Sequence, residues 1–152
     1  DAWERLARHL RELGFSVCTN AACVEQVIPG TKKVFVPYED IIPFVEEAGY
    51  VVSIRSGICD IIAAADCKKF ILYPTPNFYK FGVGTIFDYF SLKKMNIGKH
   101  LCELEFERIY TDTAFRFLYE KICQSAHVES KKYVPMAKEN TVAGHVFYVQ
   151  QE

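Results

Sequence analysis

Arg55-Ser56-Gly57, with Asp60 three residues further on, is the stretch where residue type, spacing and context together point to chemistry. An apolar run from Tyr50 to Ile54 leads straight into it. Ile58 to Ala65, rich in small and apolar residues, leads out. That pattern reads as a buried strand, a tight turn and a helix. A helix starting there presents unpaired N–H groups and the positive end of its dipole to an anion. Gly57 lets such an anion come close to the backbone. Ser56 can cap the helix or donate its hydroxyl, and Arg55 can add a charge-assisted hydrogen bond. Asp60, one turn on, can cap the helix or accept a ligand hydroxyl. The same residues also suit a purely structural turn, with Ser56 as N-cap, Gly57 as turn residue and Arg55 as a surface charge. The chain has no GxGxxG and no Walker lysine, so the dinucleotide and P-loop fingerprints are absent.

Other residue types offer less. The six cysteines form no CxxC pair, and the four histidines are scattered, which argues against a zinc site. Several cysteines lie in apolar stretches, such as Cys18 and Cys123, and read as buried, reduced thiols of a cytoplasmic protein. Cys59 lies near a helix start, where a thiol can be activated, but no phosphatase-type Cys-loop-Arg pattern begins there. A formal net charge of −1 gives no electrostatic footprint for nucleic acid. The aromatic residues Phe78, Tyr79, Phe81, Phe87, Tyr89 and Phe90 read as core and loop packing rather than a base-stacking platform. No signal peptide and no apolar run long enough to span a bilayer are visible.

The elements that must position the turn follow from periodicity. Trp3, Leu6, Ala7, Leu10 and Leu13 repeat at helical spacing, and Gly14 stops that helix. Phe15 to Cys18 and Val34 to Val36 are short buried strands, followed by the Thr19-Asn20 loop and by Pro37. Tyr38 to Ala48 is helical, with Pro43 either kinking it or sitting in its first turn. Tyr50 to Ile54 and Phe70 to Tyr73 are further strands. Beyond Pro76 the expectations are a loop from Asn77 to Thr85, a strand from Leu101 to Phe106 and a helix from Thr113 to Cys123. That helix should start at an Asp112 or Thr111 cap and turn Ala114, Phe117, Leu118 and Ile122 inward. A strand within Val142 to Val149 is also expected. Strand–helix alternation with short, wholly apolar strands predicts an α/β fold: a Rossmann-like three-layer domain with a mainly parallel sheet. Residues 1–127 are assigned to that domain and 128–152 to a C-terminal extension.

From the opening helix through Tyr73, the order of elements and the turn Arg55-Ser56-Gly57-Ile58-Cys59-Asp60 resemble the C-terminal, donor-binding half of GT-B-fold glycosyltransferases. More distantly they resemble the heptosyltransferase type of bacterial capsule and lipopolysaccharide synthesis. Phe90-Ser91-Leu92 and Glu103 add to the likeness. The resemblance implies that Ser56 and Gly57 hold the diphosphate of a nucleotide-sugar and that Arg55 or Asp60 touches phosphate or sugar. It implies that Pro37-Tyr38-Glu39 flank the nucleoside, with Glu39 a ribose ligand, and that Thr19 and Asn20 line the same cleft. The expected partners are a nucleotide-sugar donor and a glycan or glycolipid acceptor, with no cofactor and no metal. The strand expected before the first helix and the acceptor-binding N-terminal domain are missing from this sequence. A catalytic base and any peripheral membrane contact are therefore expected from the missing half, and this chain alone is expected to be inactive. The alternative reading is a non-catalytic Rossmann-like nucleotide-binding or protein-interaction domain.

Overall fold

A computed structural model describes residues 1–75, 84–107, 110–134 and 146–151. The strands are β1 (Phe15–Asn20), β2 (Lys32–Val34), β3 (Tyr50–Ile54), β4 (Lys68–Thr75), β5 (Leu101–Glu107) and β6 (Val146–Gln151). The helices are α1 (Ala2–Glu12), α2 (Ile41–Ala48), α3 (Gly57–Ile62), α4 (Ile86–Phe90) and α5 (Thr111–Ala126). They build one six-stranded sheet in the order β2-β1-β6-β3-β4-β5. β1 pairs parallel with β2, and β4 pairs parallel with both β3 and β5. β6 alone runs antiparallel, seated between β1 and β3.

Side chains alternate across the pleat, and both faces are covered. In β3, Tyr50 and Val52 pack under α1 and α5, while Val51 packs under α2 and α3. In β4, Phe70 and Leu72 join the first face and Ile71 and Tyr73 the second. The domain is therefore Rossmann-like, a three-layer α/β fold with a mainly parallel sheet. The apolar stripe of α1 closes on α5, with Trp3 edge-on to Phe115 at 5.1 Å between ring centroids. Asp1 caps α1 in a reciprocal box with Glu4, which satisfies two otherwise orphaned donors.

Several boundaries moved. β2 lies two residues earlier than Val34 to Val36. Pro43 sits in the first turn of α2, where its missing N–H costs nothing, and Gly49 ends that helix in the left-handed region. Tyr110, not Asp112 or Thr111, occupies the N-cap position of α5. Phe117 is partly exposed rather than core; Phe115 and Tyr119, not singled out by the spacing, are buried. The expected strand near the C-terminus exists as Val146–Gln151, but residues 142–145 lie outside the described residues. All six cysteines are free thiols; Cys59, Cys67 and Cys123 are buried, and Cys23 is exposed. Phe78, Tyr79 and Phe81 also lie outside the described residues. Among the described residues no helix is long and apolar enough to cross a membrane.

Candidate ligand-binding site

The carboxyl ends of β1, β2 and β3 open on one side of the sheet, and α3 starts there. Ser56 is the N-cap of α3 in extended backbone. Its side chain makes no capping bond, and among the described residues its hydroxyl has one hydrogen-bond partner, the Cys59 thiol 4.0 Å away. Gly57 is the first helical residue. Among the described residues a Cβ placed on it meets nothing within 4 Å, so they leave the backbone there open. The turn is thus accessible and its hydroxyl is uncommitted.

Beside the turn lies a cavity of about 340 Å³, lined by Asn20 from β1, Phe35, Val36, Pro37, Tyr38 and Glu39 beyond β2, and Ile58 from α3. Residues from three separate segments meet there because parallel strands bring successive carboxyl ends to one edge. Phe35 and Tyr38 are about two thirds exposed, at 68% and 69%. Large aromatic faces left open beside a concave wall suit a flat, partly apolar ligand. Glu39 is exposed and can accept hydroxyls. Asn20 lines the wall while its Oδ1 accepts from the Val36 N–H at 3.2 Å, which fixes the chain after β2.

Three of the residues singled out from the sequence are committed elsewhere. Thr19 is buried; its Oγ1 lies 2.6 Å from the Thr31 hydroxyl and accepts from the Ile28 N–H at 3.3 Å. It clips the 21–31 loop to β1 rather than facing the cavity. Arg55 and Asp60 hold each other: Nη2 donates to Oδ1 at 2.7 Å and Nη1 to Oδ2 at 3.1 Å. Arg55 Nε also donates to the Phe90 carbonyl at 2.9 Å and Nη1 to the Ser56 carbonyl at 2.6 Å. Burial works against the guanidinium charge, but the hydrogen bonds and charge of Asp60 outweigh it, and the Arg55 pKa is raised. Arg55 therefore braces the turn and ties it to the end of α4.

Behind this brace lies Glu103, which the spacing alone did not single out. Its carboxylate accepts from the Tyr73 hydroxyl at 2.5 Å, the Ser91 hydroxyl at 2.7 Å and the Leu92 N–H at 2.8 Å. Burial alone would raise its pKa, but these bonds hold it below the usual carboxylate range. Tyr73 also donates to the Phe90 carbonyl at 3.3 Å. Arg55 and Tyr73 therefore converge on one carbonyl, and Phe90-Ser91-Leu92 and Glu103 form one hydrogen-bonded unit behind the turn.

The second edge region, at the ends of β4 and β5, holds a larger cavity of about 590 Å³, walled by Leu104, Phe106, Tyr110 and Phe117 with Glu105 and Glu107 at its rim. It contains none of the ligand-site residues singled out from the sequence. Among the described residues no group of three or more His, Cys, Asp and Glu is placed to hold a metal ion. Comparison with family models, with curated proteins and with solved structures finds no match to this chain.

Proposed function

We propose that this chain is the donor-binding half of a glycosyltransferase that transfers a sugar from a nucleotide-sugar to a cell-surface polysaccharide or lipid-linked acceptor. The observation that carries the reading is the meeting of Asn20, Tyr38 and Glu39 around one cavity beside the open Ser56-Gly57 turn. The sequence resemblance had assigned those positions to a single nucleotide. In this reading the base lies between the Phe35 and Tyr38 rings. Glu39 accepts the ribose hydroxyls, and the diphosphate meets the Ser56 hydroxyl and the backbone N–H groups at Gly57. Arg55 and Asp60 hold the turn in shape rather than touching the ligand. Among the described residues no acid–base pair lines the cavity, and in this reading the base that activates an acceptor comes from outside it.

The experiment is an NMR titration of the chain with nucleoside diphosphates. The reading predicts saturable shifts at Asn20, Tyr38, Glu39, Gly57 and Ile58. A second reading, a non-catalytic nucleotide-binding or protein-interaction module, is favoured by that same lack of an acid–base pair. It predicts nucleotide binding without donor selectivity, or none. Nucleotide-sugars that bind no more tightly than their parent diphosphates support it.

A further inference from the structure

The amino ends of β1 and β2 form a notch on the opposite edge of the sheet from the Ser56-Gly57 turn. It holds a cavity of about 530 Å³, lined by Arg11 at the end of α1, Ser16 and Val17 of β1, Gly30 and Thr31 before β2, and Lys32 at its start. The notch exists because β2 starts late. Its first residue, Lys32, pairs with Cys18, so among the described residues Phe15 to Val17 have a neighbouring strand on the β6 side alone. Two cations and two hydroxyls line the cavity, and among the described residues no acid does.

Both cations are placed at the notch and left free there. Arg11 lays its guanidinium against Gly30, where a Cβ would lie 2.7 Å from Nη1 and the backbone takes φ +80°. Among the described residues that guanidinium has no hydrogen bond and no ion pair. Nor does its own helix end need it. The Leu10 carbonyl accepts from the Leu13 N–H at 3.1 Å, the Arg11 carbonyl from the Gly14 N–H at 2.9 Å and the Glu12 carbonyl from Lys131 Nζ at 3.1 Å. Glu12, the acid next in sequence, faces His9 at 3.4 Å. Lys32 Nζ donates to the Ser16 hydroxyl at 3.4 Å, which holds the ammonium beside β1. The Thr31 hydroxyl donates inward to the Ile28 carbonyl at 2.7 Å. The groups left to meet a ligand are therefore Arg11, Lys32 and the Ser16 hydroxyl.

We propose that this notch is a second ligand site, which takes the phosphomonoester of a small polyol or sugar, with Arg11 and Lys32 on the phosphate. Two cations with no acid beside them match a phosphomonoester, which carries close to two negative charges near neutral pH. The planar Arg11 fork suits two phosphate oxygens at once, and Lys32 adds a point charge. A cavity of about 530 Å³ is far larger than a phosphate group, so the body of the ligand lies in the notch as well. That body is polar and not aromatic, because Phe15 and Val17 are buried and present no open ring or apolar face. A nucleoside suits the Phe35 and Tyr38 edge and not this one. The inference does not rest on the nucleotide reading.

The test is an NMR titration of the chain with glycerophosphate, inorganic phosphate and glycerol, at constant ionic strength set with chloride. Glycerophosphate is expected to give saturable shifts at Gly14, Ser16, Gly30 and Lys32. Inorganic phosphate should shift the same residues with lower affinity, and glycerol should shift none of them. Arg11→Gln and Lys32→Gln should each weaken glycerophosphate binding by about tenfold, the size of one charge-assisted hydrogen bond, and leave the melting curve unchanged. No saturable shift at these residues, or an affinity that both variants retain, overturns the proposal. Equal affinity for inorganic phosphate and the ester overturns the assignment of the ester. Shifts confined to Tyr38 and Gly57 belong to the nucleotide edge and overturn this site while leaving that reading intact.

Discussion

Two arginines in this domain, Arg5 buried and Arg55 partly buried, are each paired with an aspartate at 2.7 Å, and they end in opposite states. Arg55 spends its guanidinium on Asp60, the Ser56 carbonyl and the Phe90 carbonyl. Arg5, on α1, meets Asp112 of α5, but its Nε and Nη1 are buried with no hydrogen-bond partner among the described residues. The Tyr133 hydroxyl is likewise buried without a partner among the described residues. The first arginine braces a turn on which a site depends. The second is a locally unsatisfied charge in the helix–helix interface. A buried pair whose donors are all met fixes geometry, whereas one with orphaned donors adds little net stability.

The comparison breaks first at Arg55. Arg55→Ala removes a brace of charge-assisted bonds and leaves the Phe90 carbonyl with the longer bond from Tyr73 and the Ser56 carbonyl with the Cys59 N–H. The expected loss is about 2 to 3 kcal/mol in denaturant unfolding. The half-exposed Asp60 side of the pair is screened and contributes the smaller share. Glu103→Gln, which keeps the shape but removes the charge gathered by Tyr73, Ser91 and Leu92, should cost about 1.5 to 2 kcal/mol. Glu103 also sets an acid dependence: its folded pKa lies below the unfolded one, so its contribution is complete above the unfolded carboxylate pKa. It is lost as pH falls through the folded value, and Glu103→Gln should flatten the unfolding curve in that window.

At the other arginine the sign should change. Arg5→Met combined with Asp112→Leu replaces an incompletely satisfied pair by apolar side chains, and stability should change by no more than about 1 kcal/mol or rise. His9 stacks on Tyr133 at 4.8 Å between ring centroids, with Glu12 at 3.4 Å. Burial lowers its pKa from 6.5, Glu12 opposes that and Arg8 and Arg5 add to it. A depressed folded pKa means that stability is complete above 6.5 and declines as pH falls below it toward the folded value. His9→Gln should remove that slope, the smallest of these effects, read from melting curves across the window.

How much of this was legible follows from what kind of signal each part carries. β3, the turn and α3 were readable because an apolar run ending in Ser-Gly is a local pattern. Tyr38 and Glu39 were placed at this edge by the family resemblance alone; no pattern in their own residue types marks them. The seat of β6 between β1 and β3 was not readable, since pairing between strands so far apart in the sequence leaves no periodic trace. The Arg55–Asp60 brace was equally hidden: it forms because Arg55, between β3 and α3, folds its side chain back on the first turn of α3. Lys69 lies outside the strand expected from Phe70 to Tyr73, yet it is buried in β4 and donates to the Ala65 and Cys67 carbonyls at 2.5 Å and 2.9 Å.

The central claim is that the open turn at Gly57 and the cavity beside it form one nucleotide site. It is tested most directly by titrating the chain and its Gly57→Val variant with a nucleoside diphosphate, following backbone resonances. Because a Cβ at Gly57 meets no atom of the described residues, the variant should fold with a change within about 1 kcal/mol. The account predicts saturable shifts at Asn20, Tyr38, Glu39 and Ile58 in the parent chain and their loss in Gly57→Val. Shifts of equal affinity in both proteins, or shifts confined to the β4–β5 end of the sheet, would contradict it.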